Sequence, residues 1–553
     1  MTSARARNAR ATIASATALT FLASGASAGG IDTGNPDLSL RWDTSLKYSL
    51  ADRLKSVDPA VVANPNGDDG DRNFAKKGLV SNRVDLYSEG DAVWKGEYGA
   101  RMSGAAYYDQ VYNKANDNPG FGGGAFPNQL SVPFNQFPEA TRRLHGRNAE
   151  VLDAFAFGKF TLGDMEATVR AGRHSVLWGE SLFFGGNAIS GGQQPVDVIK
   201  LLSVPNTQFK EAIRPVPQIS GQLLINSNVS LGAYIQTGWQ PSRLPAVGSY
   251  FSNVDFAVDG GETILLGPGA FALRQADRTP KRSGQAGLQL RVRAGETDYG
   301  LYAINFHAKA PQVVPVVGVT PVGPAPVVYY LGYQQDIRAI GASASRSFGE
   351  FNLALEASMR NNQDLASTQG ADVSGIAPVP PTNVTDNPGY AVGRTAHVNL
   401  STVAALGPSL PWKEATLLGE IAWNRVLKVT KNAAALDPNG TRDGVALRAL
   451  LEPTYRGVAD GLDVGVPVGL GWAPKGSRPL AAANPNAWIP EGGGDVSVGL
   501  KFAYRDVWRG SLNFTHYFGE AAPLTDPAAR NAYTWKQTLR DRDFVAASLS
   551  YSF

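Results

Sequence analysis

The closing stretch of the chain, DFVAASLSYSF (543–553), alternates to its last residue. Read back from Phe553, one face carries Phe553, Tyr551, Leu549, Ala547 and Val545; the other carries Ser552, Ser550, Ser548, Ala546 and Phe544. Side chains on a strand point alternately to its two sides, so this is a strand with an apolar face and a mostly polar one. An edge strand of a soluble sandwich would share that pattern. Residues 38–50 argue for a membrane instead. There Leu38, Leu40, Trp42, Thr44, Leu46, Tyr48 and Leu50 oppose Ser39, Arg41, Asp43, Ser45, Lys47 and Ser49. That length suits a tilted membrane-crossing strand and exceeds the usual soluble one. The charged face cannot meet lipid, so it should face a lumen.

Between these two ends the same pattern recurs about eighteen times. Sixteen is the alternative count, because 147–161 and 333–347 alternate poorly. In 147–161 the pattern leaves open whether Phe155 and Phe157 face lipid or lumen. Short turns such as Leu162-Gly163, Gly295-Glu296 and Phe348-Gly349 alternate with long Gly/Pro-rich stretches, the first at 51–78 and the last at 520–542. Short periplasmic turns and longer extracellular loops produce that asymmetry. The predicted fold is all-β: a transmembrane antiparallel up-and-down barrel with an even strand count, which puts both termini on the periplasmic side.

The N-terminus fits. Arg5, Arg7 and Arg10 precede a short run of apolar and small residues, and Ala26-Ser27-Ala28 offers a cleavage site. Residues 1–28 read as a cleaved signal peptide and 29–553 as a single barrel domain. The terminal aromatics Phe553 and Tyr551 resemble the signal by which the Gram-negative barrel assembly machinery recognises its clients, so the expected location is the outer membrane, with its lipid as solvent. The 553 residues carry a net charge of +3, which does not suggest nucleic acid as a partner. There is no cysteine, and hydrophobic residues make up 43%, a bland average that suits a barrel hiding its lipid face in alternation. None of the five His sits in an H-E-x-x-H or G-x-S-x-G setting. No enzyme, cofactor or metal is expected. Asp68-Asp69-Gly70-Asp71 has the carboxylate density of a weak calcium site, but a solvated loop is the simpler reading.

Alternation also names the inner wall. Glu356 and Arg360, Glu420, Arg448 and Glu452, and Lys501 and Arg505 should point inward, with Arg291, Arg293, His397 and Asn399 as further candidates. Charges of both signs fit either a closed structural network or a solute path. One connection, 176–214, is too apolar for water: it holds Trp178, Phe183, Phe184, Val198, Ile199 and Leu201. It should fold into the barrel as a plug or a constriction. Glu180, Asp197, Lys200, Lys210 and Glu211 could tie it to the charged wall, and Pro195 could precede a short helix.

GRHSVLWGESLFFGG (172–186), PVDVIKL (195–201), FKEAIRPVPQIS (209–220), WQPSRLPAVGSYFSNVDF (239–256), LYAINFH (301–307) and DIRAIGASAS (336–345) occur in order along the chain. Together they resemble the hallmark stretches of the outer-membrane proteins grouped as domain of unknown function 1302. QPVDVIKL and GYQQDIR (332–338) depart from the usual pattern of that family. The resemblance implies a barrel that handles hydrophobic or amphipathic small molecules, sterol- or lipid-like, beside a periplasmic or exporter partner of the resistance-nodulation-division type. A substrate-specific hydrophilic porin and a docking component of an envelope complex are the alternatives.

Overall fold

The computed structural model describes residues 29–124, 126–204, 209–409 and 411–553. The expected signal peptide, 1–28, lies outside them. Eighteen strands close into one antiparallel barrel. The first half runs β1 (Leu38–Arg53), β2 (Gly78–Trp94), β3 (Tyr98–Asp109), β4 (Arg147–Leu162), β5 (Met165–His174), β6 (Val216–Asn226), β7 (Val229–Gln236), β8 (Gln285–Ala294) and β9 (Thr297–Phe306). The second half runs β10 (Ile337–Phe348), β11 (Phe351–Asp364), β12 (Val392–Leu406), β13 (Glu414–Lys431), β14 (Asp443–Ala459), the interrupted β15 (Leu462–Gly465 and Val468–Trp472), β16 (Gly494–Tyr504), β17 (Trp508–Phe518) and β18 (Phe544–Ser552).

Each strand pairs with the next, and β18 returns to β1 from Ser45↔Ser552 to Arg53↔Phe544. The seam is tied at its end by reciprocal backbone bonds between Thr44 and Phe553, both 2.8 Å. Beyond it, Gly29–Ile31 pairs with Leu40–Trp42 and prolongs the edge that β18 leaves. Closure removes every free strand edge, which lipid would not solvate. Leu288, Leu301, Ile340, Leu400, Ile421 and Leu500 stand exposed on the outer face, while the charged faces turn inward. Trp94, Tyr98, Phe348 and Phe351 are exposed near the short turns, where an interfacial aromatic girdle belongs.

The weakly alternating segments are strands all the same. A bulge between Met102 and Gly104 shifts the β3–β4 register, which blurs the pattern of β4. Phe155 then lies opposite Arg101 and Phe157 opposite Gly99; Arg101 in turn reaches Asp91, so both rings face the lumen. Residues 333–336 belong to a loop, and β10 starts at Ile337.

Two hairpins went unread in the sequence. Thr263–Gly267 with Ala270–Arg274 and Gln312–Thr320 with Gly323–Gly332 form a four-stranded sheet at the long-loop end, joined by a parallel pairing of Leu273 and Arg274 with Val328 and Tyr329. Loops 54–77, 110–146, 237–284 and 519–543 share a buried core that includes Phe74, Tyr112, Phe137, Tyr250 and Leu539. Asp68, Asp69 and Asp71 are all but fully buried there, which overturns the reading of a solvated loop.

Candidate functional site

Beyond His174 the chain turns into the lumen. Gly179 has a φ of +95°, and a Cβ on it would lie 2.2 Å from Glu356 Oε2, so backbone conformation and space both require glycine. That close approach brings the next N–H groups onto the wall. The Glu180 N–H donates to Glu356 Oε2 at 2.8 Å, and the Ile189 N–H to Oε1 at 2.6 Å. Glu420 Oε2 accepts from the N–H groups of Leu182, Phe183 and Phe184 at 3.1, 2.5 and 2.9 Å. Successive N–H groups aimed at one point form an anion-binding concavity, and here the anion is a wall side chain.

The loop's carbonyls are held in the same way. Arg360 donates to the Gly186 and Ala188 carbonyls at 3.0 and 2.8 Å, and Lys309 donates to the Gly192 carbonyl at 2.8 Å. Asn187 sits among Asn399, Asn424 and His397, with contacts of 2.9 to 3.0 Å. Trp178 packs 5.0 Å from Tyr234, and Phe184 lies 5.7 Å from Trp488; Phe183 is half-buried against the same cluster. The apolar rings that draw the loop inward are therefore turned to the wall.

The returning half is tied elsewhere. Asp197 caps the helix α1 (Val198–Ser203) through the Lys200 N–H at 3.0 Å and pairs with Arg243 at 3.0 Å. Arg243 and Arg214 both hold Glu150 of β4, at 2.9 and 3.1 Å. One half of the loop is thus clamped to β11–β13 and the other to β4. Lys210 and Glu211 do not join this clamp. Both are exposed on the turn Phe209–Ala212, and Glu211 contributes its backbone carbonyl to Lys200 Nζ. On that turn it is Phe209 and Ala212 that are buried.

The other proposed wall residues divide. Arg448 pairs with Asp495 at 2.5 Å and Lys501 with Glu452 at 2.7 Å. The latter pair borders a recess of about 350 Å³ that also has Thr454, Ser511 and Ser548 on its rim. Arg291 stands 4.0 Å from Glu180. Arg505 is not a wall residue. β16 ends at Tyr504, and Arg505 and Asp506, both at positive φ, form a short turn, where Arg505 reaches the exposed Asp460.

The charged face of β1 continues across β2 and β3, where alternation alone does not name the residues that act together. Arg83 pairs with Asp85 at 2.6 Å and stacks 3.7 Å from the Tyr107 ring centroid. Arg101 reaches both Glu89 and Asp91. Beside them on β4 and β5 lie Phe155, Phe157 and Arg170, the guanidinium of Arg170 being 5.8 Å from the Phe155 ring. Among the described residues no carboxylate pairs with Arg170.

A family profile described as "Protein of unknown function (DUF1302)" matches residues 9–553. The chain belongs to that family. No curated protein matches this DUF1302 chain. Among solved structures, OccAB4 of Acinetobacter baumannii is similar at 9% identity and a TM-score of 0.42, over 94% of this chain and 100% of that one. OpdK of Pseudomonas aeruginosa, solved with vanillate, is similar at 10% identity and 0.40, over 93% and 98%. OccD3 (OpdP) of the same organism is similar at 11% identity and 0.37, over 96% and 93%. The DUF1302 barrel is an outer-membrane protein on its own architecture: closed strands, an apolar outer belt and a charged interior.

Proposed function

We propose that the barrel is a selective channel for small amphipathic solutes that pair an apolar body with an anionic group. The observation that carries this reading is the strip formed by Phe155, Phe157 and the carboxylate-free Arg170 on the wall beside the clamped loop. An aromatic face next to a guanidinium suits such a solute, since the ring receives the body and the cation the charge. Trp178, Phe183 and Phe184 pack on the wall, which favours an amphipathic solute over a wholly apolar, sterol-like one. The loop, with Glu180 and Asp197 as its charged points, serves as a fixed constriction that leaves β1–β5 as the path.

Purified barrel in planar bilayers and proteoliposomes tests this. Aromatic carboxylates should permeate faster than neutral sugars of equal size, and Arg170→Ser or Phe155→Ala should reduce that preference severalfold with the barrel still heat-modifiable. Equal permeation of sugars and carboxylates would refute the solute class. A protein without conductance would point to the docking role.

A further inference from the structure

We propose that Asp68, Asp69 and Asp255 hold a hard divalent cation of the calcium class, which fastens loop 54–77 to loop 237–284 at the mouth of the barrel. One carboxylate oxygen from each lies within 4.8 Å of the other two, and the three residues are 2%, 2% and 0% exposed. Each carboxylate has a single satisfied oxygen. Asp68 Oδ2 accepts from Arg72 Nε at 3.0 Å, Asp69 Oδ2 from the Asn128 N–H at 3.3 Å, and Asp255 Oδ2 from the Asp69 N–H at 3.1 Å. The three Oδ1 atoms are buried without a hydrogen-bond partner. Asn128 Oδ1, on a fully buried residue of loop 110–146 next to Asp69, is a fourth such oxygen.

The neighbouring carboxylate shows what is missing. Asp71, two residues from Asp69, is bound by Arg542 at 2.6 Å and Arg53 at 3.0 Å, both themselves buried. Asp69 and Asp255 have no such cation among the described residues, and Asp68 has one partly exposed Arg72. Buried charges persist when they are paired or coordinate a metal. The donors are all oxygen, with no imidazole or thiolate among them, which selects calcium or magnesium over zinc or copper. A site assembled from several loops and buried in protein suits the larger, geometrically tolerant calcium ion. Gly70 has to be small here, because a Cβ would fall 2.6 and 2.7 Å from the Ser252 and Ser249 carbonyls, so Asp68 and Asp69, just before it, are seated by the loop they would clasp.

The inference is independent of what the channel carries. Calcium titration of the full barrel in lipopolysaccharide-free detergent, by calorimetry and equilibrium dialysis, should give one ion per barrel with a dissociation constant on the order of 10⁻³ M or tighter. Calcium should slow protease cleavage in loops 54–77 and 237–284, and chelator should reverse it. Asp69→Asn and Asp255→Asn should each weaken binding by about tenfold or more through lost ligand charge, while Asp117→Asn, in an exposed pair with Lys76, should leave it unchanged. Absence of a stoichiometric site in the wild type overturns the proposal and leaves a cluster that shares protons. So does binding that both Asn variants retain. The wild-type titration decides the matter even if a variant fails to fold.

Discussion

On β11 and β13 the inward carboxylates of Glu356 and Glu420 meet backbone N–H groups of an inserted loop; on β2 the inward Glu89 and Asp91 meet one guanidinium on the neighbouring strand. The alternation that turns them inward is the same. The surroundings differ: Glu356 and Glu420 are 1% and 2% exposed, whereas the side chains of Glu89 and Asp91 are 19% and 24% exposed. A buried carboxylate with several N–H donors holds structure, since losing it orphans every donor. A wetter ion pair contributes little to stability and remains free to act on a solute. The role of a lumen charge follows from what stands opposite it.

The largest test of that contrast is Glu420→Ala. It leaves the N–H groups of Leu182, Phe183 and Phe184 without an acceptor, at about 1–3 kcal/mol each. The segment 178–190 should leave the wall, seen as rapid proteolysis there and a rise in single-channel conductance, with the barrel still heat-modifiable. Glu420→Gln keeps an oxygen acceptor and should be milder. Cleavage and conductance equal to wild type would show that the clamp lies elsewhere.

A smaller effect comes from pH. Lys309, just past β9, is buried under the loop, and burial followed by the nearby Arg360 lowers its pKa from 10.5 to about 7. A released loop lets Lys309 return toward 10.5, so release takes up a proton between pH 7 and 10.5. The inserted state is therefore favoured as pH rises through that window, and the dependence levels off below 7. One proton limits the slope to about tenfold per pH unit. The ratio of loop-cleavage rates, wild type over Lys309→Met, should fall from pH 7 to 9.5; a flat ratio means that Lys309 does not titrate with insertion.

Much of the barrel was legible because its pattern is local. Period-two alternation and the rhythm of short and long connections yield eighteen strands and the side on which the loops lie, and the aromatic content of 176–186 marks the loop that enters. The unread parts depend on partners distant in the chain. The parallel pairing of 273–274 with 328–329 joins two separate connections, and Pro315, Pro324 and Pro326 disguise its strands. Asp68 to Asp71 look like a solvated turn until loops from 110, 237 and 519 onward close over them. Nor does alternation tell Glu420 from Glu89: both point inward, and only the loop's three N–H groups set them apart.

The finest test lies on the open wall. Arg101 is a third exposed and paired with Glu89 and Asp91, so Arg101→Ser should change barrel stability by no more than about 1 kcal/mol. The two carboxylates left behind make that height of the lumen negative, which should shift the reversal potential in a salt gradient toward cations and slow anionic solutes. Loop cleavage should stay at the wild-type rate, because among the described residues no ion pair or hydrogen bond of Arg101 reaches 175–215. Raised salt should shrink the shift, since exposed charges are screened within about 10 Å at 0.1 M. If Arg101→Ser instead frees the loop or lowers the unfolding midpoint as far as Glu420→Ala does, the charges of β2 and β3 are structural too, and the division of the lumen into a clamped wall and a working wall fails.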